Sequence, residues 1–177
     1  MNTRKTIIQI LLVLTAAIFV SCGGDNMRPE KTLKDFPKLI ETEMFDGLSL
    51  TIHYISPSIL TRAPLSVEGL INHSAVHKIV IDGNSLKEHI DLLKQINADA
   101  LKPVKHKSHL DARLCYVFET DKDGMILDVV IGGDDNSIFV NGLEVKNNDV
   151  FYDVIRPFLA EDTAKELEVY FNRGNQE

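Results

Sequence analysis

The chain has 177 residues, with 19 Lys and Arg against 26 Asp and Glu and a formal net charge of −7. That balance repels phosphate backbones, and no basic stripe with interleaved aromatics offsets it, so nucleic-acid binding is excluded. The length suits a single domain large enough to bury a core, and one free thiol beyond Cys22, at Cys115, leaves no internal disulfide.

Arg4 and Lys5 precede an apolar run from Ile7 to Val20, which ends in Ser21, Cys22, Gly23 and Gly24. Charge, apolar core and small residues in that order read as a secretory signal, and the run is shorter than the roughly 20 apolar residues a membrane span needs. Phe19-Val20-Ser21-Cys22 resembles the lipobox of bacterial lipoproteins, with Phe19 where leucine is usual. The resemblance implies cleavage before Cys22, acylation of its thiol and tethering to an envelope membrane. Gly23 after the cysteine, in that class, goes with transfer to the outer membrane, and the leaflet faced stays open. Loss of residues 1–21 removes Arg4 and Lys5 and takes the net charge from −7 to −9.

Residues 22–36 are mostly polar and read as a flexible tether, leaving 37–177 as one domain. Leu48 to Ile55 alternates apolar and polar residues and predicts a half-buried strand. Residues 56–73 carry Pro57 and Pro64 without a firm period, and predict a connection with a short helix near Ser66 to Leu70. Val76 to Ile81 is a second strand, closed by Asp82-Gly83. Ser85 and Glu88 have capping-box spacing, and Leu86, Ile90, Leu93 and Ile96 follow at helical intervals, which predicts one helix from Ser85 to about Asp99.

Turn signals at Asp121 to Gly124, Gly132 to Asn136 and Asn141-Gly142 divide the next stretch into strands near 111–119, 125–131, 137–140 and 143–145. A helix capped by Asn147 or Asn148 buries Val150, Phe151, Val154, Ile155 and Phe158 and is bent or ended by Pro157. Asp162 to Phe171 reads as a helix, with an edge strand as the alternative. The whole predicts an α+β two-layer sandwich, a mostly antiparallel sheet with helices on one face and the other face free for a partner.

Chemistry-bearing residues are sparse. His73 and His77, and His106 and His109, pair imidazoles at short spacing, but zinc needs three or four converging ligands and Lys105 and Lys107 oppose a cation at the second pair. Loop histidines are the plainer reading, and no metal or cofactor is expected. Asp121-Lys122-Asp123-Gly124 opens like a calcium loop but lacks its later ligands, and the turn holding Asp134 and Asp135 belongs at the opposite end of a meander. Cys115 lies inside a strand, where cysteine behaves as a small hydrophobe. No Gly-x-Ser-x-Gly elbow or phosphate loop occurs. Tyr54, Tyr116, Phe139 and Val140 are contact points only if a sheet face is open, and core packing is their default.

The sequence thus leads to an envelope lipoprotein that binds a protein, peptide or glycan, held to the membrane by its N-terminal lipid, and leans away from an enzyme. A small envelope hydrolase or metal-dependent enzyme using the four histidines, and a structural component of an envelope complex, are the alternatives.

Overall fold

The computed structural model of the chain describes residues 29–104, 109–133 and 137–172. Six strands, β1 (Leu48–Tyr54), β2 (His77–Asp82), β3 (Ala112–Thr120), β4 (Gly124–Gly132), β5 (Ile138–Val140) and β6 (Leu143–Val145), form one antiparallel sheet in the order β2-β1-β3-β4-β5-β6. Around it lie α1 (Pro29–Glu41), α2 (Val67–Ile71), α3 (Gly83–Lys87), α4 (Ile90–Leu93), α5 (Val150–Asp153), a 3-10 turn (Arg156–Phe158) and α6 (Glu161–Asn172). The architecture is α+β, as the alternation of periods predicts.

Alternation decides which side of the sheet is dry. In β1, Leu48, Leu50, Ile52 and Tyr54 are buried, while Ser49, Thr51 and His53 are half-exposed. The register carries this across the sheet: Leu50 stands opposite Ile81 and Phe118, and Ile52 opposite Ile79 and Tyr116. Tyr116 and Phe118 in turn face Val129 and Leu127. These side chains meet Phe36, Leu86, Leu93, Phe151 and Leu167 in one continuous core on what we term the first face. The buried Tyr116 hydroxyl donates to the Phe151 carbonyl at 2.9 Å, which satisfies its polar tip and ties the sheet to α5.

Three elements differ from the sequence-based expectation. The polar stretch assigned to a tether becomes helical from Pro29, and Phe36 and Ile40 are fully buried. The physical reason is a stripe, Phe36, Leu39 and Ile40, that a boundary at residue 36 cuts in two; fully burying each such side chain contributes roughly 1.5–3 kcal/mol. The expected continuous helix from Ser85 to Asp99 is instead two short helices, broken at Glu88 and His89. Asp82 supplies the cap, accepting from Ser85 N–H at 2.9 Å, so Ser85 lies inside the helix. Bonds from His89 to Leu86, Leu92 to His89 and Ile96 to Leu93 tighten the turns to a three-residue step, and His89 packs edge-on against Phe158 at 5.1 Å.

The third difference concerns the opposite, second face of the sheet. It is not wholly free, because α2 and the chain around it pack over Ile55, Ala112, Cys115 and Val130 in a separate apolar cluster. The sheet's edges also differ from each other. Alongside β6, Pro103 pairs with Val145 and Val104 N–H donates to the Glu144 carbonyl at 2.9 Å. β2 ends the sheet on the other side.

Candidate functional site

The cover on the second face is held by charge. Arg113 is 8% exposed, and its guanidinium donates to Asp111 Oδ2 from Nε at 3.0 Å and from one terminal nitrogen at 2.7 Å. Its remaining reach goes to the chain that forms the cover: the Ile59 carbonyl at 3.1 Å and Thr61 Oγ1 at 3.0 Å. Asp111 Oδ1 accepts from Leu65 N–H at 2.7 Å. Asp111 and Arg113 are two apart in sequence and so share one side of the chain as it enters β3, which lets one ion pair clamp both flanks of α2's approach. Cys115 is sealed beneath; burial first, and the Asp128 carboxylate second, push its thiol up to about 12, so almost no thiolate exists at neutral pH.

Beyond the cover the same face is open. Val80, Thr51, Val117 and Asp128 lie side by side across β2, β1, β3 and β4. Val80 and Val117 belong to neither apolar cluster, and Val80 is 63% exposed. Asn141 closes the row: its N–H donates to the Asp128 carbonyl and its side-chain oxygen accepts from Asp128 N–H, both at 2.8 Å. Asn141 adopts φ 49° and Gly142 φ 75°, the paired left-handed conformation of a two-residue hairpin turn, which is why an Asn-Gly pair occurs here.

This row leaves hydrogen-bonding capacity unused. Asp128 Oδ1 and Asn141 Nδ2 are buried with no partner, and so is Nδ1 of His53, which sits on the same face between Lys78 and Cys115. Burial raises the Asp128 carboxyl above the ordinary range. Burial, and then the neighbouring Lys78 charge, lower the His53 imidazole. An unpaired buried polar group costs about 1–3 kcal/mol, so the row is maintained against stability.

Replacing Asp128 by Asn tests that cost. A carboxyl whose folded value is raised above its unfolded value, near 3.9, weakens the fold as pH climbs through the unfolded value towards the folded one, and the loss is constant above it. We therefore expect Asp128→Asn to exceed the parent at pH 7 by about 1 kcal/mol and to lose that advantage near pH 3. Urea unfolding at both pH values measures it; equal destabilisation at both would show that burial of the charge is not the governing effect.

A separate concavity lies where Asn147, Asn148, Asp149, Asp153 and Arg156 meet Glu168 of α6. Its volume is about 160 Å³, small beside the roughly 300–1,000 Å³ of ordinary small-molecule sites. Arg156 approaches Glu168 at 3.4 Å with both side chains about half exposed. Burial raises the Asp153 carboxyl, Asp149 adds to the effect, and Arg156 opposes it.

Among the described residues, those singled out from sequence do not converge. His73 accepts from Ala75 N–H at 3.1 Å through Nδ1, His77 stacks on Tyr54 with ring centres 4.9 Å apart, and His109 is exposed in the connection before β3. His106, Asp134, Asp135 and the acylation candidate Cys22 lie outside the described residues. Among the described residues no group of three His, Cys, Asp or Glu is placed to hold a metal ion. Tyr54, Tyr116 and Val140 pack in the core, and Phe139 lies half-buried beside the cover. Sequence reasoning passed over Asp128 and Arg113. The available signal was a lone acid inside the apolar run Leu127-Asp128-Val129-Val130, and an acid and a base two apart at the start of a strand.

No helix among the described residues is long and apolar enough to cross a membrane. No known protein family, curated protein or solved structure matches the chain.

Proposed function

We propose that the protein is a lipid-anchored module of the bacterial cell envelope, tethered to the outer membrane through Cys22, that binds a protein partner on the open half of its sheet. The observation that carries this reading is the contrast within one face. One half is sealed by the chain's own cover. The other presents Thr51, Val80 and Val117 beside Asp128 and Asn141, whose side chains hold unpaired polar atoms. A partly apolar surface rimmed by polar groups that cost stability is the chemistry of an interaction site rather than of a solvated surface. The Cys22 anchor, read from the signal, gives the domain a fixed place at a membrane.

The test is a crosslinking pull-down of the full-length protein from native envelopes, beside Cys22→Ala and Val117→Glu forms. A partner captured by the parent should fall at least tenfold with Val117→Glu, beyond what the loss of folded protein in its thermal melt accounts for, because a charge in the middle of the patch must be desolvated on binding. Retention of the partner by Val117→Glu would place the contact elsewhere and sink the reading. Capture of glycan without protein would do the same.

The hydrolase alternative draws support from the acidic cleft, where burial and Asp149 hold the Asp153 carboxyl high beside Arg156. Its expected signature is an activity lost on Asp153→Asn and indifferent to Val117→Glu. Of the four histidines first considered for it, His73, His77 and His109 do not line that cleft, and His106 lies outside the described residues.

A further inference from the structure

The two outer edges of the sheet are finished differently. Edge strands are ordinarily blunted by proline, bulges or covering chain. β2 reads His77-Lys78-Ile79-Val80-Ile81-Asp82, has no proline, and pairs with β1 in unbroken register from Asp82 to His77. The far edge of the sheet, at β6, carries the segment around Pro103 and Val104. Among the described residues, only β2 leaves a terminal strand exposing a β-branched apolar side chain, Val80.

Symmetry restricts how two such edges can meet. Two copies joined antiparallel through the same edge are related by a two-fold axis perpendicular to the sheet, which keeps each face on its own side. Directly opposed residues in an antiparallel pair also share a face. The register must therefore be centred on a residue. Centred on Val80, it sets Val80 against the second copy's Val80, Ile79 against Ile81, and Lys78 against Asp82. The last pair occurs twice, so each end of the seam carries opposite charges and its middle is apolar on both faces. Centring on Ile79 would instead set the Lys78 ammonium against Val80 and leave Asp82 without its cation. Asp82 is suited to the role, because its bonds from the Ser85 N–H, the Ser85 side chain and the Asn84 N–H hold the exposed carboxyl below the usual carboxylate range and so ionised.

We propose that the protein forms a two-fold homodimer through β2, making one continuous twelve-stranded sheet with Val80 on the axis. This stands independently of the partner and anchor argued above. Five residues from each edge form a seam smaller than the roughly 1,000 Å² expected of a stable interface, so the dimer is weak and concentration-dependent. The cross-strand charge pairs select the register more than they add affinity.

The experiment uses the full chain in detergent, carrying Cys22→Ala, with Val80→Cys or, as a control, Val169→Cys, which replaces a residue 56% exposed on α6. Opposed residues in an antiparallel pair lie about 4.5–5.5 Å apart at Cα, within disulfide reach. Under mild oxidant, Val80→Cys should form the linked dimer at least tenfold faster than Val169→Cys. Adding Lys78→Glu should return the rate to the control, since a carboxylate in place of the ammonium would then face Asp82; Asp82→Asn, which preserves the cap, should slow it part-way. Circular dichroism melts confirm that each variant is folded. Equal rates for Val80→Cys and the control overturn the proposal, as does crosslinking indifferent to Lys78→Glu. Capture of a different protein's extended segment at β2, with no self-crosslinking, also overturns it.

Discussion

Replacing Arg113 by alanine is expected to remove about 3–5 kcal/mol of stability and to make Cys115 reactive. The guanidinium joins Asp111, the Ile59 carbonyl and Thr61 Oγ1, and the ion pair's side chains are only 10% and 13% exposed. Alanine would leave the Asp111 carboxylate nearly buried, with Leu65 N–H as its remaining donor. Stranding a buried charge costs far more than the pair itself contributes, and a domain's whole margin is about 5–15 kcal/mol. For a chain of this size the loss corresponds to a fall in Tm of roughly 10 °C.

The cover should respond before the rest of the fold. Ile59, Thr61 and Leu65 are all held through Arg113 or Asp111, whereas the first-face core does not depend on either. Labelling of Cys115 by a thiol reagent in native buffer should therefore accelerate more than the change in global unfolding accounts for, which marks local opening. Arg156→Ala provides the contrast. Its partner Glu168 lies 3.4 Å away with both side chains about half exposed, so its loss should cost under about 0.5 kcal/mol. Equal effects from the two arginines would show that the clamp is not what holds the cover.

Much of this architecture could be read from residue order because its causes are local. β1 announces itself by alternation, β3 and β4 by apolar runs set between turn signals, and Asn141-Gly142 specifies a turn whose φ values both come out positive. Helix ends were less legible. Asp82 looks like the close of a strand but caps α3, and Leu86 and Leu93 satisfy a helical period while the chain between them breaks at His89. The candidate surface was the least legible part, since it depends on distant partners. Arg113 reaches Ile59 and Thr61 across more than fifty residues, and the cover's edge, not any motif, decides that Val117 is half-exposed while Cys115 is sealed. The histidine spacings pointed to chemistry that the described residues do not assemble: His73 spends its Nδ1 on Ala75, and His77 lies against Tyr54.

Gly83 shows how a residue read as simple punctuation can be a packing requirement. It follows Asp82 at the end of β2, and its backbone passes so close to the turn before β1 that an added Cβ would stand 2.1 Å from the Phe45 carbonyl oxygen and 3.1 Å from that of Leu48. Neither contact is with a side chain able to swing aside. The Phe45 carbonyl also accepts from Leu48 N–H at 3.0 Å, so retreat of that turn would break the bond that starts β1. Gly83→Ala should therefore cost at least about 3 kcal/mol, the upper end for overpacking, despite alanine's better helix propensity. Asn84→Ala, one residue further and exposed, should change stability by under about 0.5 kcal/mol. Urea midpoints of the two variants decide it. A near-neutral Gly83→Ala would mean that the turn from Phe45 to Leu48 yields without cost, and β1, β2 and the edge between them would then be less firmly fixed than their register implies.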